Sequence, residues 1–261
     1  MGKGSGVNIN AVCVCVNYSD FLAYTLPINK HHFNSIVIVT DTKDVETKRI
    51  CEMLNVHCVH TDVFYEGGAK FRKGAGINKG LNLLDTLVGF RQHGGGALNP
   101  NNAQEEYNVT DEWYVHLDAD ILLPPDFKEQ LIEAKLQPSH LYGCDRWMAN
   151  SFESAQETLS ALLEGAPLPP HSFERGARIE PPQVGYTPLG YFQLWNPLVS
   201  NIGIYLERKE NASSDDVHFA YSFPRERRHR INNLSVYHLD STSNVAGVNW
   251  NGRVTKRFMW D

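Results

Sequence analysis

At 261 residues and 29.5 kDa the chain is long enough for one large domain with a sizeable core. Its composition, 42% hydrophobic and 21% charged, is that of a globular protein, and a net charge of −6 with a pI near 6.0 excludes a uniformly basic nucleic-acid-binding surface. No apolar run approaches the roughly 18–20 residues of a membrane span; MGKGSGVNIN lacks a secretory core, and five cysteines without a CxxC pair read as reduced thiols, so a cytoplasmic protein is expected.

Residues 10–18, NAVCVCVNY, are β-branched and apolar and predict a buried strand, followed by a helix over 19–33 that Pro27 disturbs. A second apolar strand, SIVIVTDTKD (35–44), ends in acid. Its helix, DVETKRICEMLN, carries Val45, Ile50, Met53 and Leu54 at helical spacing. VHCVH is a third strand, residues 74–91 form a helix opened by glycines, and EWYVHLD is a fourth strand. Alternating strands and helices with continuous apolar strands predict an α/β fold, a mostly parallel sheet with helices on both faces. Ligands of such sheets sit beyond the carboxyl ends of the strands, where Asn17, Asp41 and Asp118 all fall.

Two stretches break the alternation. Residues 92–111 are rich in Gly and Asn and read as a surface loop. Residues 164–190, rich in Pro and Gly, separate a helix over 151–163 from the aromatic strand GYFQLWNP, and a loop of that length suits a lid or acceptor loop. Later, DDVHFAYSF is an amphipathic helix opened by Asp215 and Asp216, and LSVYHLDS is an apolar strand ending near His238.

The carboxylates Asp118 and Asp120 in VHLDADILLPPDF stand at i and i+2, a spacing that suits a hard divalent cation sharing its other positions with phosphate and water. A turn would account for the same two residues, since Asp is a common turn residue. The block lies downstream of FRKGAGINKGLNLL and upstream of SSDDVHFAYSF. In that order, over residues 10–240, the three blocks resemble the family 2 type of GT-A glycosyltransferases. The resemblance implies a single GT-A domain over 1–261, a Rossmann-like mixed sheet, with residues 10–120 binding the nucleotide sugar and 121–261 the acceptor. It further implies that Asn17 and Tyr18 line the nucleoside pocket and that Asp41 accepts a hydrogen bond from the base, typically a uracil imide, so that the donor is a UDP-sugar. Arg72, Lys73 and Asn78 would face the nucleotide or its phosphates. Asp118 would contact ribose or metal, and Asp120 and His238 would hold Mn²⁺ or Mg²⁺. Asp216 would be the general base of an inverting transfer, with Asp215 a helix-capping acid.

Simpler roles stand beside these: a turn or cap for Asp41, a solvated basic turn for Arg72 and Lys73, and a hydrogen-bonded structural histidine for His238. His116 is the competing metal ligand, although its strand position suits a buried, hydrogen-bonded role. A retaining GT-A enzyme, including a viral type that glycosylates hydroxymethylated DNA bases, shares most of these features. A non-catalytic nucleotide-sugar module and a D-x-D phosphatase also carry such an acidic pair, the phosphatase being disfavoured by the mid-chain position of the acids and by Leu122. The acceptor is a glycan, a protein or a modified nucleic acid. The basic runs PRERRHR (224–230) and RVTKRF (253–258), and Tyr186, Tyr191, Phe192, Trp195 and Trp250, are candidates for binding it or for ordinary surface and core roles.

Overall fold

The computed structural model describes residues 7–89, 112–149, 152–164, 172–174, 184–198, 204–208, 211–212, 214–239 and 252. The first strand, β1 (Asn8–Val14), is followed by α1 (Ser19–Asn29), β2 (Ser35–Thr40), α2 (Val45–Met53), β3 (His57–His60) and α3 (Lys73–Leu87). Then come β4 (Glu112–Asp118), β5 (Ile121–Leu122), α4 (Phe127–Glu133), β6 (Leu141–Met148), α5 (Phe152–Glu164), β7 (Ser172–Glu174), β8 (Phe192–Trp195), α6 (Asp215–Tyr221) and β9 (Arg228–His238). All strands join one sheet, in the order β3-β2-β1-β4-β8-β6-β9-β5, with β7 on β6.

The ladders β1–β2, β1–β4, β2–β3 and β6–β9 are parallel, while β8 runs antiparallel to both β4 and β6. Hence β1, β2, β3, β4, β6 and β9 point one way, and the sheet is mixed but mostly parallel. Along β1 the side chains alternate between two cores, Ile9, Ala11 and Cys13 on one face and Val12 and Val14 on the other. The first face is closed by Leu22 and Leu26 of α1, the second by Ala75, Ile77, Leu81 and Leu84 of α3. Burial on both faces is why these strands read as unbroken apolar runs. Pro27 lies inside α1 without ending it; the helix continues to Asn29 and tightens to a 3₁₀ turn over Lys30–His32.

Sequence reasoning missed β6 altogether, along with α4 and the two short strands β5 and β7. It placed the last strand's start at 234, whereas β9 begins at Arg228 and takes in part of the basic run. Inside the expected 164–190 loop, β7 and Val184–Gly190 are described. The expected loop at 92–111 lies outside the described residues.

Candidate active site

The centre of the site is built where β4 ends. Asp118 is its last residue, and its N–H donates to the Tyr191 carbonyl (3.2 Å), which ties the strand end to β8. The chain then turns, and β5 pairs with β9 so that Ile121 faces His238. Leu239 N–H donates to the Asp120 carbonyl (2.9 Å). Backbone pairing thus delivers His238, from near the far end of the chain, to Asp120. His238 Nε2 lies 3.2 Å from Asp120 Oδ2.

On its other side His238 Nδ1 is 2.9 Å from an Nη of Arg146 on β6. A guanidinium only donates, so Nδ1 accepts and Nε2 carries the proton it gives to Asp120. Arg146 is itself packed 4.7 Å above the Tyr191 ring centroid. Neither Arg146 nor β6 was anticipated, because Asp145 and Arg146 interrupt the apolar character of LYGCDRWM. The signal available was the short alternation Leu141, Gly143, Asp145 against Tyr142, Cys144, Arg146.

The chemistry of this donor set fits a divalent ion. One carboxylate oxygen and one imidazole nitrogen 3.2 Å apart have the separation of adjacent ligands on an octahedral ion whose bonds are about 2.1 Å. An ion at Nε2 competes with the proton now there. Among the described residues no three His, Cys, Asp or Glu groups enclose an ion. Asp118 is turned elsewhere: its Oδ1 is 2.5 Å from Lys73 Nζ, at the first turn of α3. Burial opposes the Lys73 ammonium, but Asp118 outweighs it and holds the lysine above its ordinary value.

His116, two residues earlier on β4, is buried beneath this pair, with Nε2 3.7 Å from Asp118 Oδ1 and its ring edge-on to Tyr205. Burial, and then the Lys73 charge, push its pKa well below the ordinary histidine value, so it is neutral. Contrary to expectation it is not hydrogen-bonded to any described residue.

The two acids that open α6 face different ways. Asp216 Oδ2 accepts from Gly190 N–H at 2.7 Å, and Gln193 Nε2 donates to the Asp216 carbonyl at 3.0 Å. A Cβ at position 190 would come within 2.8 Å of the Asp216 side chain, so glycine is what lets this backbone approach the carboxylate. Asp216 remains half-buried, and its charge acts on Lys73. Asp215 is fully buried, and its Oδ2 accepts from Gly74 N–H on α3 at 3.2 Å. The residue preceding the helix is Ser214, in the left-handed region at φ 68°. Asp215 therefore docks α6 on α3 rather than only capping it.

Of the residues expected to line a nucleoside pocket, Asn17 takes the left-handed conformation (φ 59°), and its N–H donates to Asp44 Oδ2 at 2.7 Å. Tyr18 is the N-cap residue just before α1 and packs against both the main core and the smaller cluster around Phe21. Asp44, not Asp41, is the N-cap of α2, accepting from Thr47 N–H. Asp41 is a turn acid whose Oδ1 accepts from Lys43 N–H at 3.0 Å. Arg72 forms ion pairs with Glu66 (3.2 Å) and Glu207 (3.0 Å). Asn78 is buried and brackets the Tyr205 backbone, donating to its carbonyl (2.9 Å) and accepting from its N–H (2.8 Å). Thus Lys73, Asp118, Asp120, His238 and Asp216 gather around the strand ends, while Arg72 and Asn78 are engaged with neighbouring protein groups.

In the basic run, Arg228 is buried and donates to the Val184 carbonyl (2.8 Å), and Arg230 reaches Asp145 (3.4 Å). Trp195 and Phe192 are core residues. Trp250 and the 253–258 run lie outside the described residues. Among the described residues no helix is long and apolar enough to cross a membrane.

No protein-family profile and no curated protein matches the chain. Solved structures do. Glucosyl-3-phosphoglycerate synthase from Mycobacterium tuberculosis, in complex with Mn²⁺, UDP and glucosyl-3-phosphoglycerate, superposes with a TM-score of 0.51 at 11% identity, over 90% of this chain and 72% of that one. The same enzyme with Mn²⁺, UDP-glucose and phosphoglyceric acid gives 0.50 at 11% identity, over the same shares. With Mn²⁺ and UDP-glucose it gives 0.50 at 11% identity, over 88% and 70%. At that identity the likeness is one of architecture: the chain has the GT-A fold of nucleotide-sugar-dependent glycosyltransferases.

Proposed function

We propose that the protein is a metal-dependent glycosyltransferase that moves a sugar from a UDP-sugar to an acceptor hydroxyl, with inversion. The observation that carries this reading is the pairing of Asp120 with His238 beside the Lys73–Asp118 ion pair at the carboxyl ends of the parallel strands. That grouping offers a donor set for one cation and a fixed ammonium, with the half-buried Asp216 carboxylate acting on the same lysine. The structures of similar fold hold Mn²⁺ with UDP or UDP-glucose, which supports both the cation and the donor class.

Asp120 and His238 would hold Mn²⁺ or Mg²⁺, and the ion supplies neutralisation of the diphosphate as it leaves. Lys73, held protonated, adds a second positive charge. Asn17, Tyr18 and Asp41 line the nucleoside side; Asp41 Oδ2 is the acceptor for a base N–H. Asp216 takes the proton of the attacking acceptor hydroxyl, and Gly190 N–H fixes which oxygen faces it. The acceptor enters from the β8 side, where Gly190 and Gln193 border Asp216. It is a glycan, a protein or a modified nucleic acid.

Two measurements test this. Purified protein with Mn²⁺ and a panel of nucleotide sugars should release UDP from one donor, and EDTA should abolish the release. Asp216→Asn should bind donor and metal normally yet transfer sugar about 10²–10⁴-fold more slowly, the usual cost of losing a positioned base. Near-normal transfer in that variant, or a product of retained anomeric configuration, removes Asp216 as the base.

A further inference from the structure

On the reading of Lys73 as a diphosphate ligand, we propose that Asp118 is a carboxylate with two positions. His116 is its positioning residue and supplies the hydrogen bond that replaces Lys73 when the phosphates draw the lysine away. Tyr114, His116 and Asp118 alternate onto the face of β4 that packs on α3, where Tyr114 donates to Asp85 (2.9 Å). The strand is paired on both sides, with His116 opposite Val12 of β1 and Gln193 of β8. The His116 ring lies edge-on to Tyr205 (5.5 Å between centroids), and Tyr205 is stacked on Phe219 (4.1 Å).

Both ring nitrogens of His116 are buried with no hydrogen-bond partner among the described residues. Buried polar atoms are nearly always paired, and an unpaired one disfavours the state that holds it. Asp118 Oδ1 stands 3.7 Å from Nε2, beyond hydrogen-bonding range, while the same oxygen is 2.5 Å from Lys73 Nζ. The His116 side chain is 1% exposed, against 27% for Asp118 and 21% for Lys73. The histidine is therefore the fixed member, and the carboxylate and ammonium at the strand end are the groups with room to turn.

A phosphate set against Lys73 Nζ competes with Asp118 for the ammonium. Left without a partner, the carboxylate would oppose the binding of that anion. A shift of about 1 Å brings Asp118 from 3.7 Å to the ordinary N–H···O distance from His116 Nε2. The neutral imidazole donates its Nε2–H, so the exchange moves no proton. It pairs a histidine nitrogen that had no partner and releases Lys73 to the phosphates without stranding a carboxylate. The free and the bound protein thus differ in which neighbour holds Asp118.

The His116 ring is followed by NMR of the full chain with nitrogen-labelled histidine, its signal identified by its absence from His116→Gln. Adding UDP with the diamagnetic ion Mg²⁺ should move the Nε2 proton downfield, the mark of a hydrogen bond to a carboxylate. Lys73→Ala should show the same shift with no ligand present. His116→Phe keeps a ring against Tyr205 and removes the N–H. It should melt at or above wild type without ligand, yet bind UDP with Mg²⁺ at least about tenfold more weakly by calorimetry. His116→Gln, whose amide reaches the place of Nε2, should recover most of that affinity. A His116→Phe protein that loses stability but keeps wild-type affinity, or an unmoved Nε2 proton in Lys73→Ala, overturns the proposal. A wild-type protein that does not respond to UDP with Mg²⁺ overturns the diphosphate reading instead, and the ligand-free Lys73→Ala signal still decides whether Asp118 has its second position.

Discussion

Asp215 is a buried carboxyl at the start of α6. Its Oδ1 is buried with no hydrogen-bond partner among the described residues, and Gly74 N–H is the donor to Oδ2. Burial, chiefly, pushes its carboxyl up to about 6. The folded state then holds this proton more tightly than the unfolded chain, whose carboxyl titrates near 4. Stability from this group falls as pH rises from about 4 to about 6, and above that window the ionised form costs about 3 kcal/mol at most. Asp215→Asn keeps an acceptor for Gly74 and removes the charge. It should therefore raise the denaturation midpoint at pH 8 and leave it unchanged below pH 4. A variant less stable than wild type at pH 8 would mean that the charge is satisfied by an ion pair instead. The sequence invited a different reading, an N-terminal acid favoured by capping and the helix dipole. Those arguments see only the local helix, and Gly74 lies 141 residues away.

At the scale of elements, the parallel half of the sheet was legible because double-sided burial writes itself as unbroken apolar runs. The strand β6 was not, since it carries Asp145 and Arg146 at buried positions. Those charges are accounted for by partners on β9, Arg230 and His238, and no periodicity argument contains them. Asn78 teaches the same lesson about segments. The short stretch 204–208 has no regular structure and is held to α3 by the two Asn78 bonds to Tyr205. Tyr205 in turn stacks on Phe219 of α6 (4.1 Å) and donates to Gln193 Oε1 at 2.6 Å. Asn78→Ala leaves a buried N–H and carbonyl unpaired and should cost about 2–4 kcal/mol in urea unfolding. Turnover should fall along with stability, because Gln193 also braces Asp216. If Asn78→Ala instead kept its stability and only weakened donor binding, its amide would belong to the nucleotide site.

Across the whole molecule, the two halves of the chain meet at Asp120 and His238, 118 residues apart. Which turn reaches which strand end is a property of the assembled sheet, and this is why the sequence alone offered His238 and His116 as rivals. In the folded chain β9 pairs with β5 and places His238 at Asp120, while His116 is buried 3.7 Å from Asp118. If Asp120 and His238 hold the cation as proposed, the site is completed only when a diphosphate binds. Mn²⁺ alone should then shift the melting temperature little, and UDP alone only modestly. Together they should stabilise by more than the sum, about 2.7 kcal/mol when the complex is saturated a hundredfold above its dissociation constant. His238→Ala and Asp120→Asn should each remove that excess and leave the response to UDP alone. Lys73→Ala should weaken the response to UDP with or without Mn²⁺ if, as proposed, its charge acts on the phosphates directly. A full shift from Mn²⁺ without nucleotide would show that the protein encloses the ion by itself, and the shared site would have to be given up.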